Sequence, residues 1–274
     1  MEIIKPLSSV EQFAKTLGLN QKELEALASS APSLYRVSRL PKPRGGFRVI
    51  EAPFKHLKEV QTKLLKFVLN RIPVHPILHG GPNTSTKSAA KIHIRQPVVI
   101  TLDIQDFFPS VNAETVCRAF QMIGASKDIA GFVTRLVTRK KKLPQGAPTS
   151  SSIARIVLFD LCNELDTLLR SISPHARATI YVDDVTISGP IGLRRLVPTV
   201  VAIFQRHGYR LNRAKRKVMP AKEEQVVLGL RVNHSLELSS EFENKLEAER
   251  TQRHPRDPKL KGLESYRRFI IRSD

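Results

Sequence analysis

The chain has 274 residues, 41% of them hydrophobic, with 45 Lys and Arg against 25 Asp and Glu, a formal charge of +20. That apolar share excludes a disordered polyelectrolyte, no apolar run approaches the roughly 20 residues needed to span a bilayer, and Met1-Glu2-Ile3-Ile4-Lys5-Pro6 lacks a signal-peptide pattern. The cation excess points to a polyanion rather than a membrane surface, because the basic residues are scattered instead of gathered on one amphipathic helix.

Residues 8–30 read as one or two short helices, capped by Ser8 or Ser9 and broken at Gly18-Leu19-Asn20. The pattern has some likeness to a helix-turn-helix, although an N-terminal helical brace is the commoner use. From Pro41 to Pro53 the chain reads as a hairpin turning at Gly45-Gly46, with basic residues on both arms. Leu57, Val60, Leu64, Val68 and Ile72 recur at helical spacing, closed by Pro73, and a loop-rich stretch follows from His75 to Ser88. Val98-Val99-Ile100-Thr101-Leu102 is a buried-strand run ending in Asp103, and a helix after Pro109 carries Val116, Phe120 and Ile123.

Lys140-Lys141-Lys142 precedes a turn at Pro144-Gln145-Gly146-Ala147-Pro148, after which Thr149 or Ser150 is placed to cap one long helix bearing Ile153, Val157, Leu161, Leu165 and Leu168. Tyr181-Val182-Asp183-Asp184 then falls between two β-branched strands. A helix runs from near Pro198 to Gly208, and a second hairpin from Gln225 to Ser239 turns at Asn233-His234-Ser235. The tail is helical and basic. Cys117 and Cys162 have neither metal nor disulfide spacing, sit in apolar helical patterns and fit a reducing, cytoplasmic setting.

Adjacent aspartates between strands suit a solvated turn, but they also suit a site for divalent cations, which offset the mutual repulsion of crowded acids. Asp103 ends another strand, so a fold that pairs the two would assemble three carboxylates. Phosphoryl transfer to a nucleic-acid end uses two cations about 3.5–4 Å apart, and Mg²⁺ takes carboxylate, water and phosphate oxygens. His75, His79 and His93 lack acid or cysteine partners at zinc spacing, leaving RNA contact or core hydrogen bonding as their roles.

Asp103-Ile104-Gln105-Asp106-Phe107-Phe108, Leu143-Pro144-Gln145-Gly146-Ala147-Pro148-Thr149-Ser150 and Tyr181-Val182-Asp183-Asp184 resemble the motif series of reverse transcriptases in order and spacing. The Gly45-Gly46-Phe47-Arg48 hairpin before them and Leu211-Asn212 with Lys215 after them extend the resemblance. From about Leu17 to Phe269 the chain is most similar to bacterial retron reverse transcriptases. It departs from that pattern at Ala89, where the usual Asn is absent, at Val227-Leu228-Gly229, and by stopping soon after Lys261-Gly262-Leu263.

The resemblance implies an α+β right-hand polymerase. Its parts would be an N-terminal helical extension (1–34), fingers (35–97), an antiparallel-sheet palm (98–234, with a fingers segment around 124–150) and a short basic helical thumb (235–274). It implies RNA-directed DNA synthesis with two Mg²⁺ ions, Mn²⁺ being a possible substitute, on Asp103, Asp183 and Asp184. Lys215 would protonate or neutralise the leaving pyrophosphate. Arg44 or Arg48 would reach the triphosphate or the template backbone, Asp106 would orient backbone near the triphosphate, and Phe108 would exclude a ribose 2′-OH. Gln145 and Gly146 would lie beside the incoming dNTP. His93, Lys140, Lys141, Lys142, Leu228, Gly229, Arg250 and Arg253 would contact template and primer.

A structured noncoding RNA, primed from one of its own 2′-hydroxyls, would be the substrate and an RNA–DNA hybrid the product. A bacterial cytoplasmic setting, a role in antiphage defence and an effector-protein partner follow from the same likeness. Two other readings are another bacterial reverse transcriptase lineage (group II intron-like, diversity-generating, CRISPR-associated or abortive-infection) and an inactive RNA-binding scaffold.

Overall fold

The computed structural model describes residues 9–42 and 45–272. In chain order the elements are α1 (Val10–Leu17), α2 (Gln21–Ser30), β1 (Tyr35–Pro41), β2 (Phe47–Pro53), α3 (Lys55–Phe67), β3 (Leu78–His79), α4 (Thr86–Lys91), β4 (Val98–Asp103), α5 (Phe107–Ser110), α6 (Ala113–Met122), α7 (Lys127–Val137), α8 (Ser150–Val157) and α9 (Phe159–Ile172). They continue with β5 (Arg177–Tyr181), β6 (Asp184–Gly189), α10 (Val197–Arg206), β7 (Lys217–Pro220), β8 (Val226–Val227), β9 (Leu230–Arg231), β10 (Glu237–Leu238), α11 (Ser240–Gln252) and α12 (Pro258–Ile271). No described helix is long and apolar enough to cross a membrane.

Contacts divide the chain into two units, Met1–His75 with Gln105–Asp160 and Pro76–Ile104 with Leu161–Asp274. This division differs from the expected boundaries: residues 76–97 join the sheet-bearing unit instead of the fingers, and the N-terminal helices join the hairpin unit.

In the first unit, α1 begins at Ser9, whose side chain accepts from the Gln12 amide, and ends at Gly18 in the left-handed region. Asn20 and Glu23 close a capping box on α2. These helices pack on α3 and α7, as a brace does. The fully buried Gln61 of α3 donates to the Tyr35 hydroxyl at 2.8 Å and the Leu136 carbonyl at 2.7 Å, tying hairpin, helix and helix together. β1 and β2 pair antiparallel from Tyr35 opposite Pro53 to Pro41 opposite Phe47. The expected single helix after Pro148 is two, α8 and α9, interrupted at Leu158. Neither expected hydroxyl caps it: Thr149 makes no cap bond and Ser150 Oγ donates to the Pro144 carbonyl.

The second unit is built on a five-stranded sheet in the order β3-β5-β6-β4-β7, antiparallel except for the parallel β3–β5 edge. Asp103, Thr101 and Val99 of β4 lie opposite Asp184, Thr186 and Ser188 of β6, so they share one face. At the Val99 end, that face is covered by an apolar cluster of Ala90, Met219, Val227, Leu230, Leu238 and Ile270. The acids sit at the other end. The expected second hairpin is a three-stranded sheet, β10-β9-β8, with an additional two-residue turn at Leu228-Gly229.

Candidate active site

β4 ends and β6 begins in register, Asp103 directly opposite Asp184. The turn between β5 and β6 has only Val182 and Asp183 at its centre. Val182 has φ +61°, a costly left-handed conformation for a β-branched residue. Room for it comes from Gly80 beyond β3, where an added Cβ would lie 3.1 Å from Val182 Cγ2. The Ile104 amide donates to the Asp183 carbonyl at 2.9 Å, so the turn is also held by the chain leaving β4.

Lys215 reaches the same place by a local device. The Asn212 amide donates to the Asp103 carbonyl at 2.8 Å. The Asn212 side chain accepts from the Ala214 amide and caps the 3₁₀ turn Arg213–Lys215. The turn delivers Lys215 Nζ to Asp103 Oδ2 at 2.7 Å. The Asp103 side chain is 11% exposed and that of Lys215 51%.

Protein crowding pushes the Asp184 carboxyl up to about 6, the negative charges of Asp183 and Asp103 push the same way, and Lys215 opposes them. Negative charges that raise the cost of ionising Asp184 suit a divalent cation, and the hard carboxylate oxygens are the donors Mg²⁺ takes. Among the described residues no three histidine, cysteine or acid side chains already form a metal cage. Asp103, Asp183 and Asp184 are the residues that would hold such ions.

In the first unit the structure brings together the hairpin and the Gln145-Gly146 turn. The Glu51 amide donates to the Gln145 carbonyl at 2.7 Å. Gly146 has φ +119°, and a Cβ there would lie 2.9 Å from Ile50 Cγ2. Arg48 is exposed and lies on the same face of β2 as Ile50, two residues nearer the tip. Arg44 lies outside the described residues. Asp106 is exposed with φ +46° and caps α5 without a side-chain bond, while Phe108 is half-buried beside Phe107, ring centroids 5.6 Å apart.

The residues expected to contact template and primer lie in different surroundings. His93 is fully buried, and its ring nitrogens bond Ser188 Oγ at 2.7 Å and Thr179 Oγ1 at 2.8 Å, which is core hydrogen bonding rather than RNA contact. Burial drives its pKa down to about 3, with His79 adding in the same direction. Arg250 pairs with Glu247 and Glu264, and Arg253 with Glu249 and Asp257, so carboxylates of the same helical hairpin already neutralise both. Leu228 and Gly229 are the two positive-φ residues of the β8–β9 turn. Lys140 and Lys141 likewise form a positive-φ turn, between Arg139 and Lys142, and Lys140 to Lys142 are exposed.

Sequence reasoning missed the half-buried Arg139–Glu51 pair, which locks the base of the hairpin. Nothing in either residue's neighbourhood in the chain announces it.

A family model described as reverse transcriptase (RNA-dependent DNA polymerase) matches residues 40–232. The chain belongs to the reverse transcriptase family. Members of this family work with divalent metal ions, as the acid cluster suggests. The chain is 32% identical over 235 residues to the retron Mx65 reverse transcriptase of Myxococcus xanthus, covering 78% of this chain and 55% of that protein. It is 28% identical over 243 residues to the retron Se72 reverse transcriptase of Salmonella heidelberg (84% and 63%). To the retron Ec86 reverse transcriptase of Escherichia coli it is 26% identical over 232 residues (82% and 71%). The chain thus spans little more than half the length of the first of these relatives. The fold matches telomerase from Candida albicans with a TM-score of 0.56 at 13% identity, covering 80% of this chain and 50% of that one. The chain therefore has the right-hand polymerase fold.

Proposed function

We propose that this reverse transcriptase is of the retron type, an RNA-directed DNA polymerase that copies its own structured noncoding RNA from a 2′-OH primer into branched, RNA-linked DNA. The observation that carries the polymerase chemistry is the register pair Asp103–Asp184 beside the strained Val182-Asp183 turn, with Lys215 on Asp103, and the likeness to retron reverse transcriptases supports the type. Mg²⁺ bound to these acids would supply a lowered pKa for the attacking hydroxyl and charge neutralisation at the triphosphate.

The chain's own groups divide the remaining work. Asp103, Asp183 and Asp184 fix the acid cluster at one end of a rigid sheet. Lys215 carries the proton and the positive charge that a departing pyrophosphate needs. Arg48 offers a guanidinium fork to phosphate oxygens of the dNTP or template, and Gln145 with Gly146 forms the wall that positions the nucleotide beside the hairpin. Phe108 would exclude a ribose 2′-OH by overlap, and Asp106 would orient the backbone near the triphosphate. Lys140, Lys141 and Lys142 suit phosphates because no described residue pairs with their side chains. A defence role and an effector-protein partner accompany the retron reading.

Primer extension on an RNA template with Mg²⁺ tests the chemistry. The wild type should incorporate dNTPs and Asp183→Asn should fall by several orders of magnitude; equal incorporation by the two proteins refutes polymerase action. Nucleic acid copurified from cells carrying the native locus tests the lineage. Single-stranded DNA covalently joined to RNA is expected, and its absence would remove the retron assignment.

A further inference from the structure

We propose that Lys215 is an internal counter-cation that a divalent ion must displace from Asp103. The inference rests on reading Asp103 as a metal ligand. Its basis is the 2.7 Å contact between Lys215 Nζ and Asp103 Oδ2, in which an ammonium already occupies an oxygen that a metal would need.

The partners differ in freedom. Asp103 is nearly enclosed at the end of a central strand, whereas Lys215 arrives from solvent on a four-carbon stem, its side chain 51% exposed. Such a half-open pair is held loosely enough to yield to a doubly charged competitor. The anchor of the stem does not depend on the ion pair. Asn212 fastens the turn through the Asp103 carbonyl and its own side chain, so a displaced ammonium stays beside the site. The like-charge crowding among Asp103, Asp183 and Asp184 gives the lysine its purpose without metal, because it is the cation that offsets that repulsion.

The experiment measures Mn²⁺ binding to the protein alone, by the loss of the free-ion EPR signal, and needs no turnover. Wild type is compared with Lys215→Met and with Arg216→Met, which removes the same charge from the next residue, a guanidinium that no described residue pairs with. Lys215→Met should bind Mn²⁺ about 5–20-fold tighter, because the competitor is gone, and Arg216→Met within about twofold of wild type, its effect limited to screened long-range charge. In an Asp103→Asn background the Lys215→Met gain should vanish. Equal tightening in both charge-removing variants would reduce the effect to general electrostatics and overturn the proposal, as would unchanged or weaker binding in Lys215→Met. Primer extension separates the two readings: displacement with no dNTP incorporation leaves the counter-cation role intact and removes the polymerase role.

Discussion

Asp184 and His93 are ionisable groups held away from their ordinary pKa for opposite ends. Asp184 is raised to about 6 from 3.8, so between those values the folded protein holds a proton that the unfolded chain has released. Its contribution to stability is full below about pH 4 and lost as pH rises through 6. In chelator, Asp184→Asn should therefore melt above wild type at pH 7.5, with the gap closing below pH 4. A variant that is less stable at pH 7.5 would mean that the carboxylate is a structural hydrogen-bond acceptor. A site residue whose removal stabilises the fold is the usual cost of function. His93 runs the other way. Its folded pKa near 3 lies below the unfolded 6.5, so the stability it gives is present above about pH 6.5 and drains away as pH falls toward 3. His93→Gln should flatten the acid limb of a melting-temperature profile, and an unchanged slope there would contradict the neutral, doubly bonded imidazole.

At the scale of elements, two contacts decide how the working parts are held. The β1–β2 hairpin leans on the Gln145-Gly146 turn through a backbone bond and a glycine that no larger residue can replace without strain. Gly146→Ala should destabilise the protein by about 1–3 kcal/mol in denaturant unfolding, since it adds both a left-handed penalty and a 2.9 Å clash. It should also raise KM for dNTP more than it lowers hybrid affinity. Helix α12 is fastened at its C-terminal end by Lys87 of α4, whose buried ammonium donates to the Arg272 carbonyl at 2.6 Å, while Thr86 bonds Tyr266. Lys87→Met should cost about 1–2 kcal/mol and speed amide exchange in α12 before the sheet. Uniform exchange across the second unit would show that the helix is not docked by this contact.

For the whole molecule, the charge of +20 sets the terms of binding. Affinity for an RNA–DNA hybrid should fall about 100-fold or more between 50 and 200 mM salt, because released counterions drive it. Replacing Lys140, Lys141 and Lys142 with Ser should flatten that dependence more than replacing Arg250 and Arg253, whose guanidinium groups are already neutralised by Glu247, Glu264, Glu249 and Asp257. The reverse order would place the phosphate track on the C-terminal helices. A count of Lys and Arg along the chain cannot separate these groups, since pairing depends on which acids lie across the α11–α12 hairpin.

Much of the local structure was legible in the residues: the Ser9 cap, the break at Gly18-Leu19-Asn20, the Gly45-Gly46 turn, the strand run into Asp103 and the two-residue Asp-bearing turn. The strand at Leu78-His79 was not, because two residues carry no period and exist as a strand only through pairing with β5. The break at Leu158 was equally hidden, with neither Gly nor Pro to mark it. By itself the sequence determined which chemistry is present: hard carboxylates, a lysine, a guanidinium hairpin and a cationic surface, each encoded by residue type and short spacing. Only the tertiary structure decided that Asp103 faces Asp184, that Lys215 already occupies Asp103, and that His93 is sealed beneath the sheet. Turn and cap energies act over a few residues, whereas strand register, ion pairing and burial come from packing between segments far apart in the chain.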